Sequence, residues 1–177
     1  QTTIFRLIHS NISLNELHLA GYALTDFQYS DMYRFSVIMT NPCDPNILGV
    51  ISDFALQVDT IDTCVVYNRL GKDYKLSIRS CVKEIRANEL AWYLTEGIGS
   101  GGGHINKSGG FIFAKDFLRL QPDGDMNSYL YHKMEEYYNS YDLIYAKDYT
   151  ADLTSLKSYL KRNICLLYTS DAADDRI

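Results

Sequence analysis

The sequence predicts an α/β fold, in which a mixed β-sheet is flanked by helices and preceded by linker helices. Three observations support this prediction. Strand-like and helix-like apolar patterns alternate along most of the chain. Two strand-like runs on either side of Gly71 indicate an antiparallel hairpin, whereas the other strands are separated by helices, and such mixing is typical of a mixed sheet. The chain has 177 residues, of which 46% are hydrophobic, which is enough for one domain with a sizeable core.

Residues 1–27 have a helical pattern of apolar positions. Ser13 is a predicted N-cap because Glu16 follows three residues later, as in a capping box. Gly21 interrupts the pattern, so we expect more than one helix here. We expect residues 1–31 to be the remnant of a preceding domain together with interdomain linker helices.

The remaining elements alternate between strands and helices. A strand is predicted over residues 33–39, and a helix follows with Asp44 as N-cap and Pro45 at its first position, where a missing N–H costs nothing. Further predicted elements are strands at 64–68 and 74–80, a helix at 85–96, a strand at 111–114, a loop at 117–127, a helix at 128–141, a strand at 143–146 and a helix at 151–163. We therefore expect an α/β domain over 32–146 and a helical extension over 147–164.

The C-terminal residues 165–177 are expected not to be native. Their first ten residues resemble the translation of a transposon-type adapter used in shotgun DNA sequencing. We exclude this tail from the fold prediction.

Composition narrows the classes of function. A formal net charge of −5 argues against a broad basic surface for long nucleic acid, but allows a small phosphorylated ligand held by one or two cations. The cysteines, Cys43, Cys64, Cys81 and Cys165, have no zinc or CxxC spacing, so free thiols in a reducing compartment are expected. No apolar run approaches membrane-spanning length and no signal peptide is visible. We expect a cytoplasmic protein without a membrane partner.

Residues 97–113 hold seven of the chain's 11 glycines. The run 101–104 is Gly-Gly-Gly-His, and we expect a loop whose bare backbone N–H groups form an anion-binding nest. A glycine loop without a ligand remains an alternative. The dinucleotide-binding fingerprint is excluded because a helix precedes the glycines, and a P-loop is excluded because Asn106 stands where that motif needs a glycine directly before Lys107.

Ser77 and Arg79 share the polar side of the strand predicted at 74–80, because side chains alternate along a strand. Arg79 is a candidate phosphate ligand, although taken alone it is more typical of a solvated surface residue.

Together these motifs resemble the C-terminal, DHH-associated domain of the DHH phosphoesterase family, in its RecJ-like or oligoribonuclease-like form. That domain carries a Gly-Gly-Gly-His run followed by small residues and a glycine, matched here by residues 101–111. It also carries an Arg-Ser pair at the end of an upstream strand, matched by Arg79-Ser80, and a helix between the two motifs, matched from Ala87-Asn88. Lys107 and Ser108 depart from the small alanines that are commoner there.

The resemblance implies a parent enzyme that hydrolyses phosphoester bonds in short single-stranded oligonucleotides or in small nucleotides such as cyclic dinucleotides or phosphoadenosine phosphate. Its manganese ions and catalytic Asp-His-His motif would belong to an N-terminal domain, the main intramolecular partner, that this sequence lacks. No metal ligand or catalytic residue is therefore expected here, except that His104 would stabilise developing charge. The implied substrate-binding residues are Ser77, Arg79, Ser80, Gly101, Gly102, Gly103 and His104. A stand-alone nucleotide-binding or regulatory module remains the alternative, and a homodimer is left open.

Overall fold

The computed structural model describes residues 12–150, and from residue 141 onwards it describes the backbone only. The predicted helix at 151–163 and the tail at 165–177 lie outside these residues, as do residues 1–11. The elements are, in chain order, α1 (Leu14–Ala23), β1 (Gln28–Ser30), β2 (Phe35–Met39), α2 (Pro45–Ala55), β3 (Thr63–Leu70), β4 (Asp73–Ser80), α3 (Ala87–Thr95), β5 (Gly99–Gly103), β6 (Lys107–Ile112), α4 (Ala114–Leu120) and α5 (Met126–Thr150).

The predicted α/β fold with a mixed sheet is confirmed. Six strands form one sheet in the order β1-β2-β3-β4-β6-β5. Strands β2 and β3 are parallel and are joined through α2, whereas every other neighbouring pair is antiparallel. Helices α1 and α2 pack on one face of the sheet, which we call the front face, and α3 and α5 pack on the other, the rear face.

Apolar side chains from both faces of the central strands are buried. Residues 63–68 of β3 are all buried, which explains their nearly continuous apolar run. The front core comprises Ala20, Ala23, Ile38, Ile47, Leu48, Ile51, Ala55, Ile61, Cys64 and Val66. Large, fully buried side chains on the rear side include Phe35, Tyr67, Leu76, Ile78, Leu90, Leu94, Ile112 and Phe117.

The local signals at helix ends are confirmed. Ser13 N–H donates to the Glu16 carboxylate at 2.6 Å, and Glu16 N–H donates to Ser13 Oγ at 3.3 Å, which completes the capping box. Asp44 accepts from Asn46 N–H at 2.8 Å at the start of α2. Gly97 ends α3 with a φ of 74°, as expected for a left-handed C-terminal position.

Three predictions about secondary structure are wrong. The short strand β1 was not predicted, and α4 forms where a loop was expected, because the breakers Pro122 and Gly124 follow the helix end. The strand predicted at 143–146 is helical, since α5 continues to Thr150 without an intervening Gly or Pro. A short apolar run cannot distinguish a strand from a helix segment by periodicity alone. The domain boundary expected at residue 146 lies within α5 and stays a prediction.

Within the described part of the chain, none of the helices is both long enough and apolar enough to span a bilayer.

Burial of Cys64 in the front core predicts selective thiol chemistry. Desolvation raises the pKa of Cys64 to about 12, and the thiolate is the reactive form. We expect iodoacetamide at pH 8.5 to modify exposed Cys81 and to spare Cys64 in the folded protein, with Cys64 becoming reactive in denaturant. Peptide mapping by mass spectrometry measures both rates, and equal rates in the folded protein would contradict this burial.

Candidate functional site

A row of three positions crosses β4, β6 and the end of β5, in which the predicted site residues Arg79 and His104 lie on either side of Lys107. Arg79 pairs with Lys107 in the register of β4 and β6. His104 N–H donates to the Lys107 carbonyl at 2.9 Å, just beyond the end of β5. Adjacent strands are about 4.8 Å apart, so the row places the Arg79 and His104 backbones roughly 10 Å from one another. Alternation along the strands assigns Arg79 and Lys107 to the front face, and His104 is exposed just after the end of β5.

The next row along the strands is made of Ser77, Gly109 and Gly102. A Cβ built on Gly102 would have no atom within 4 Å, so the surface above it is open. We call Gly102 and Gly109 the glycine floor. Such a floor allows a ligand to approach the backbone closely.

An aromatic pair follows the glycine floor on the same face. Phe111, which pairs with Lys75 of β4 and Ser100 of β5, lies one row beyond the floor. Its ring meets that of Phe113 edge-on at 5.3 Å between centroids. Arg79 and Lys107 therefore lie at one end of this surface, and the aromatic rings lie at the other end beside Lys75.

Arg79 is held firmly at the border between the sheet and α2. Its side chain is only 14% exposed. Its Nε donates to Asp53 Oδ1 at 2.9 Å, and its Nη1 donates to Ser77 Oγ at 3.1 Å and to the Ile78 carbonyl at 3.2 Å. Its Nη2 lies against Gly49 of α2, where a Cβ would stand 3.0 Å away, and has no hydrogen-bond partner among the described residues. Nη2 is therefore a fixed donor that remains available to a ligand.

A buried chain of hydroxyl groups connects Arg79 to α2. Ser52 Oγ donates to the Leu48 carbonyl at 2.6 Å and lies 3.0 Å from Ser77 Oγ. Because a hydroxyl has one proton, Ser77 donates to Ser52 while accepting from Arg79. Ser77 is predicted to bind substrate, but its proton is donated to Ser52. Its role here is therefore to hold the Arg79 side chain in position.

Asp53 joins Arg79 to Lys107 and was not identified from the sequence. Lys107 Nζ lies 3.4 Å from Asp53 Oδ1 and 3.5 Å from Oδ2. The sequence does contain a signal that could have identified Asp53. Asn46, Gly49 and Asp53 follow one another at helical spacing and form a polar edge beside the apolar stripe of α2.

A cavity of about 340 Å³ opens between α2, β4 and β6. Its lining mixes apolar and polar residues, and its polar side chains include Asn46, Asp53, Lys75, Ser77 and Arg79. The cavity borders the glycine floor at Gly109, so the two form one continuous surface.

The Gly-Gly-Gly-His run is a strand and not the expected loop. Gly99–Gly103 form β5, the edge strand of the sheet, and pair with β6. A Cβ on Gly101 would lie 2.2 Å from the Ala91 carbonyl oxygen of α3. Gly101 is therefore required for close packing of a helix on the rear face, which differs from the anion nest that we expected.

The outer edge of β5 offers backbone donors. Residues 98 and 113, and residues 104 and 107, form hydrogen-bonded pairs across the hairpin. In an antiparallel ladder such pairs alternate, so the N–H groups of Gly101 and Gly103 point away from β6, towards the edge of the sheet. Gly103 has a φ of 146°, which a residue with a side chain rarely adopts.

Two serines of the motifs lie away from this surface. Ser80 is buried next to Thr63, and its Oγ donates to the Val82 carbonyl at 3.2 Å. Ser108 is also buried, and its Oγ donates to the Ala87 carbonyl at the start of α3 at 2.5 Å. The structure does not bring Ser80 together with Arg79, whereas Lys107 joins the front-face row.

Among the described residues, no group of three or more His, Cys, Asp or Glu side chains lies close enough together to hold a metal ion. Asp53, the carboxylate nearest to Arg79, already accepts from two cations.

Fold and surface together define a mixed-sheet α/β domain with cationic side chains beside the glycine floor. No protein-family model matches the chain, and no curated protein matches it in sequence. In structure it resembles an exopolyphosphatase-related protein from Bacteroides fragilis, with a TM-score of 0.59 and 20% identity over 80% of this chain and 40% of that protein. Its likeness to RecJ from Thermus thermophilus has a TM-score of 0.48 and 18% identity, over 69% of this chain and 16% of RecJ.

A domain of another kind also resembles this chain. The C-Ala domain of alanyl-tRNA synthetase from Aquifex aeolicus matches with a TM-score of 0.45 and 18% identity, over 54% of this chain and 89% of that domain. The matched part of this chain covers 40% of the Bacteroides protein and 16% of RecJ, so it spans less than half the length of either protein. The chain shares its fold with the exopolyphosphatase-related protein from Bacteroides fragilis.

Proposed function

We propose that this chain is the substrate-binding part of a DHH-family phosphoesterase that acts on short oligonucleotides or small nucleotides. The observation that supports this most is the row of Arg79, Lys107 and His104 beside an open glycine floor. Manganese would be held by a separate N-terminal domain. The fold shared with the exopolyphosphatase-related protein is compatible with this function.

In this proposal, different parts of the surface contact the phosphate, the sugar and base, and the scissile group of the ligand. A ligand phosphate accepts from Arg79 Nη2 and from Lys107, because both donors carry positive charge and such hydrogen bonds are the strong ones. The sugar and base lie over the glycine floor, with Phe111 available for stacking at its far end. His104 donates a hydrogen bond from the opposite side of the row, where it stabilises charge that develops on the scissile group.

The size of the cationic surface limits the ligand. The cations that border the cavity and its floor are Lys75, Arg79 and Lys107, and Asp53 neutralises part of their charge. Such a surface contacts one or two phosphates, in keeping with a short ligand.

A binding titration tests this assignment. We expect a fluorescently labelled pentanucleotide to bind Lys107→Ala about three- to tenfold more weakly than the unchanged protein, with the slope of log K against log salt reduced by about 0.7 for the lost phosphate contact. Lys72→Ala removes the same charge from the turn between β3 and β4 and is the matched control. Equal affinities for Lys107→Ala and Lys72→Ala would contradict the proposal.

A cleavage assay separates binding from catalysis. We expect this chain with manganese to bind the pentanucleotide and leave it intact, because the described residues provide no metal site. Cleavage that persists after repeated purification would contradict the placement of the metal in another domain. A stand-alone binding module gives the same result, and the coding sequence upstream distinguishes the two, since an Asp-His-His region in frame supports the phosphoesterase.

A further inference from the structure

Asp53 places a negative charge where a ligand phosphate would meet its two nearest cations. Its carboxylate lies 2.9 Å from Arg79 Nε and 3.4 Å from Lys107 Nζ. The Asp53 side chain is 49% exposed and lines the cavity between α2, β4 and β6. A phosphate bound to Arg79 Nη2 would therefore share the guanidinium with this carboxylate.

Arg79 does not depend on Asp53 alone for its position. Ser77 Oγ and the Ile78 carbonyl both accept from Nη1, and Ser77 is in turn held by Ser52 of α2. A neutral amide at position 53 would still accept from Nε. The negative charge of Asp53 is thus separable from its role as a hydrogen-bond acceptor. The need to hold Arg79 in place therefore does not explain why this residue is charged.

The repulsion between Asp53 and a bound anion grows with the charge of that anion. At a separation of about 6 Å in a water-like dielectric, each unit of ligand charge weakens binding about threefold. A phosphodiester carries one negative charge, whereas a terminal phosphate carries close to two above its second pKa of about 6. Asp53 therefore weakens binding of a terminal phosphate more than binding of a diester.

We propose that Asp53 is a specificity-determining residue that shifts this site away from terminal phosphates and towards internal phosphodiesters. This inference rests on the proposed function, because it presupposes that Arg79 and Lys107 bind phosphate. Under this inference, the row of Arg79, Lys107 and His104 binds an internal phosphodiester of an oligonucleotide and not its terminal phosphate.

The test compares three adenine probes that differ in charge: adenosine, the dinucleoside monophosphate ApA and adenosine 5′-monophosphate. Calorimetric titration at pH 8 measures their affinities for the unchanged protein and for Asp53→Asn. We expect Asp53→Asn to leave adenosine unchanged, to tighten ApA about threefold and to tighten adenosine 5′-monophosphate about tenfold. The preference between the two charged probes then shifts about threefold towards the monophosphate.

Two further variants serve as controls. Asp62→Asn makes the same change in the other Asp–Arg pair of the sheet, where Asp62 accepts from Arg34 at 2.8 Å, and should change no affinity. Asp53→Glu keeps the charge and should keep the original preference between the two charged probes. Thermal unfolding of each variant confirms that it is folded.

Each other outcome has a definite meaning. Weaker binding of both charged probes by Asp53→Asn would overturn the inference and show that Asp53 serves only to hold Arg79. An equal gain for all three probes would also overturn it, because charge would not be the cause. If Asp53→Asn leaves the affinities of both charged probes unchanged while Arg79→Ala weakens them, the proposed function stands and the inference alone is overturned. Failure of every probe to bind the unchanged protein would overturn both.

Discussion

Replacement of Gly101 by alanine is expected to destabilise the domain by roughly 3 kcal/mol, which lowers its melting temperature by roughly 10 °C. The new Cβ would lie 2.2 Å from the Ala91 carbonyl oxygen and 2.8 Å from Thr95 Oγ1. Neither the α3 backbone nor β5 can give way without loss of packing between them. Thermal and chemical unfolding followed by circular dichroism measure the effect.

Gly102→Ala is the matched control, because it makes the same change one residue later. Its Cβ would meet nothing within 4 Å, so stability should change by less than about 1 kcal/mol. The methyl group would stand on the glycine floor, and we expect it to weaken nucleotide binding severalfold. Equal loss of stability in both variants would show that α3 does not pack against Gly101 as described.

Replacement of Arg79 by alanine is expected to weaken binding of ApA or a pentanucleotide about 10- to 100-fold. A hydrogen bond to a charged group contributes about 1.5 to 3 kcal/mol, and this guanidinium is held in place before the ligand arrives. Arg79→Lys should recover only part of the affinity, because a lysine offers a point charge without the planar pair of donors. Fluorescence anisotropy measures each affinity.

Arg34→Ala controls for the loss of one positive charge from an Asp–Arg pair, since Arg34 pairs with Asp62 and precedes β2, which lies two strands from β4. We expect its effect on affinity to be less than about twofold once thermal unfolding shows that the variant is folded. Unaltered affinity in a folded Arg79→Ala variant would remove Arg79 from the site.

Local sequence signals predicted much of this fold. Asp44 before Pro45, Ser13 before Glu16 and Gly97 after an apolar helix each act within one turn of chain, so a single sequence contains the whole cause. The alternation of side chains along a strand is equally local, and it predicted that Ser77 and Arg79 share one face of β4.

Long-range packing explains what the sequence did not reveal. No residue close to Gly101 in the sequence indicates that α3 approaches its backbone. The sequence therefore predicts a loop where the structure forms β5. Asp53 meets Arg79 from a position 26 residues earlier, and only the fold brings α2 against β4. The Arg-Ser pair of the family resemblance implied a site role for Ser80 beside Arg79, although adjacent residues of a strand face opposite sides.

An NMR titration of the ¹⁵N-labelled protein with ApA tests the central claim most directly, because it locates the ligand on the sheet. We predict that the largest amide shifts fall on Arg79, Gly102, His104, Lys107 and Gly109, and that they vanish in Arg79→Ala. Shifts centred on β1 and β2, or shifts that persist in the folded Arg79→Ala variant, would contradict the claim that this face binds the phosphate.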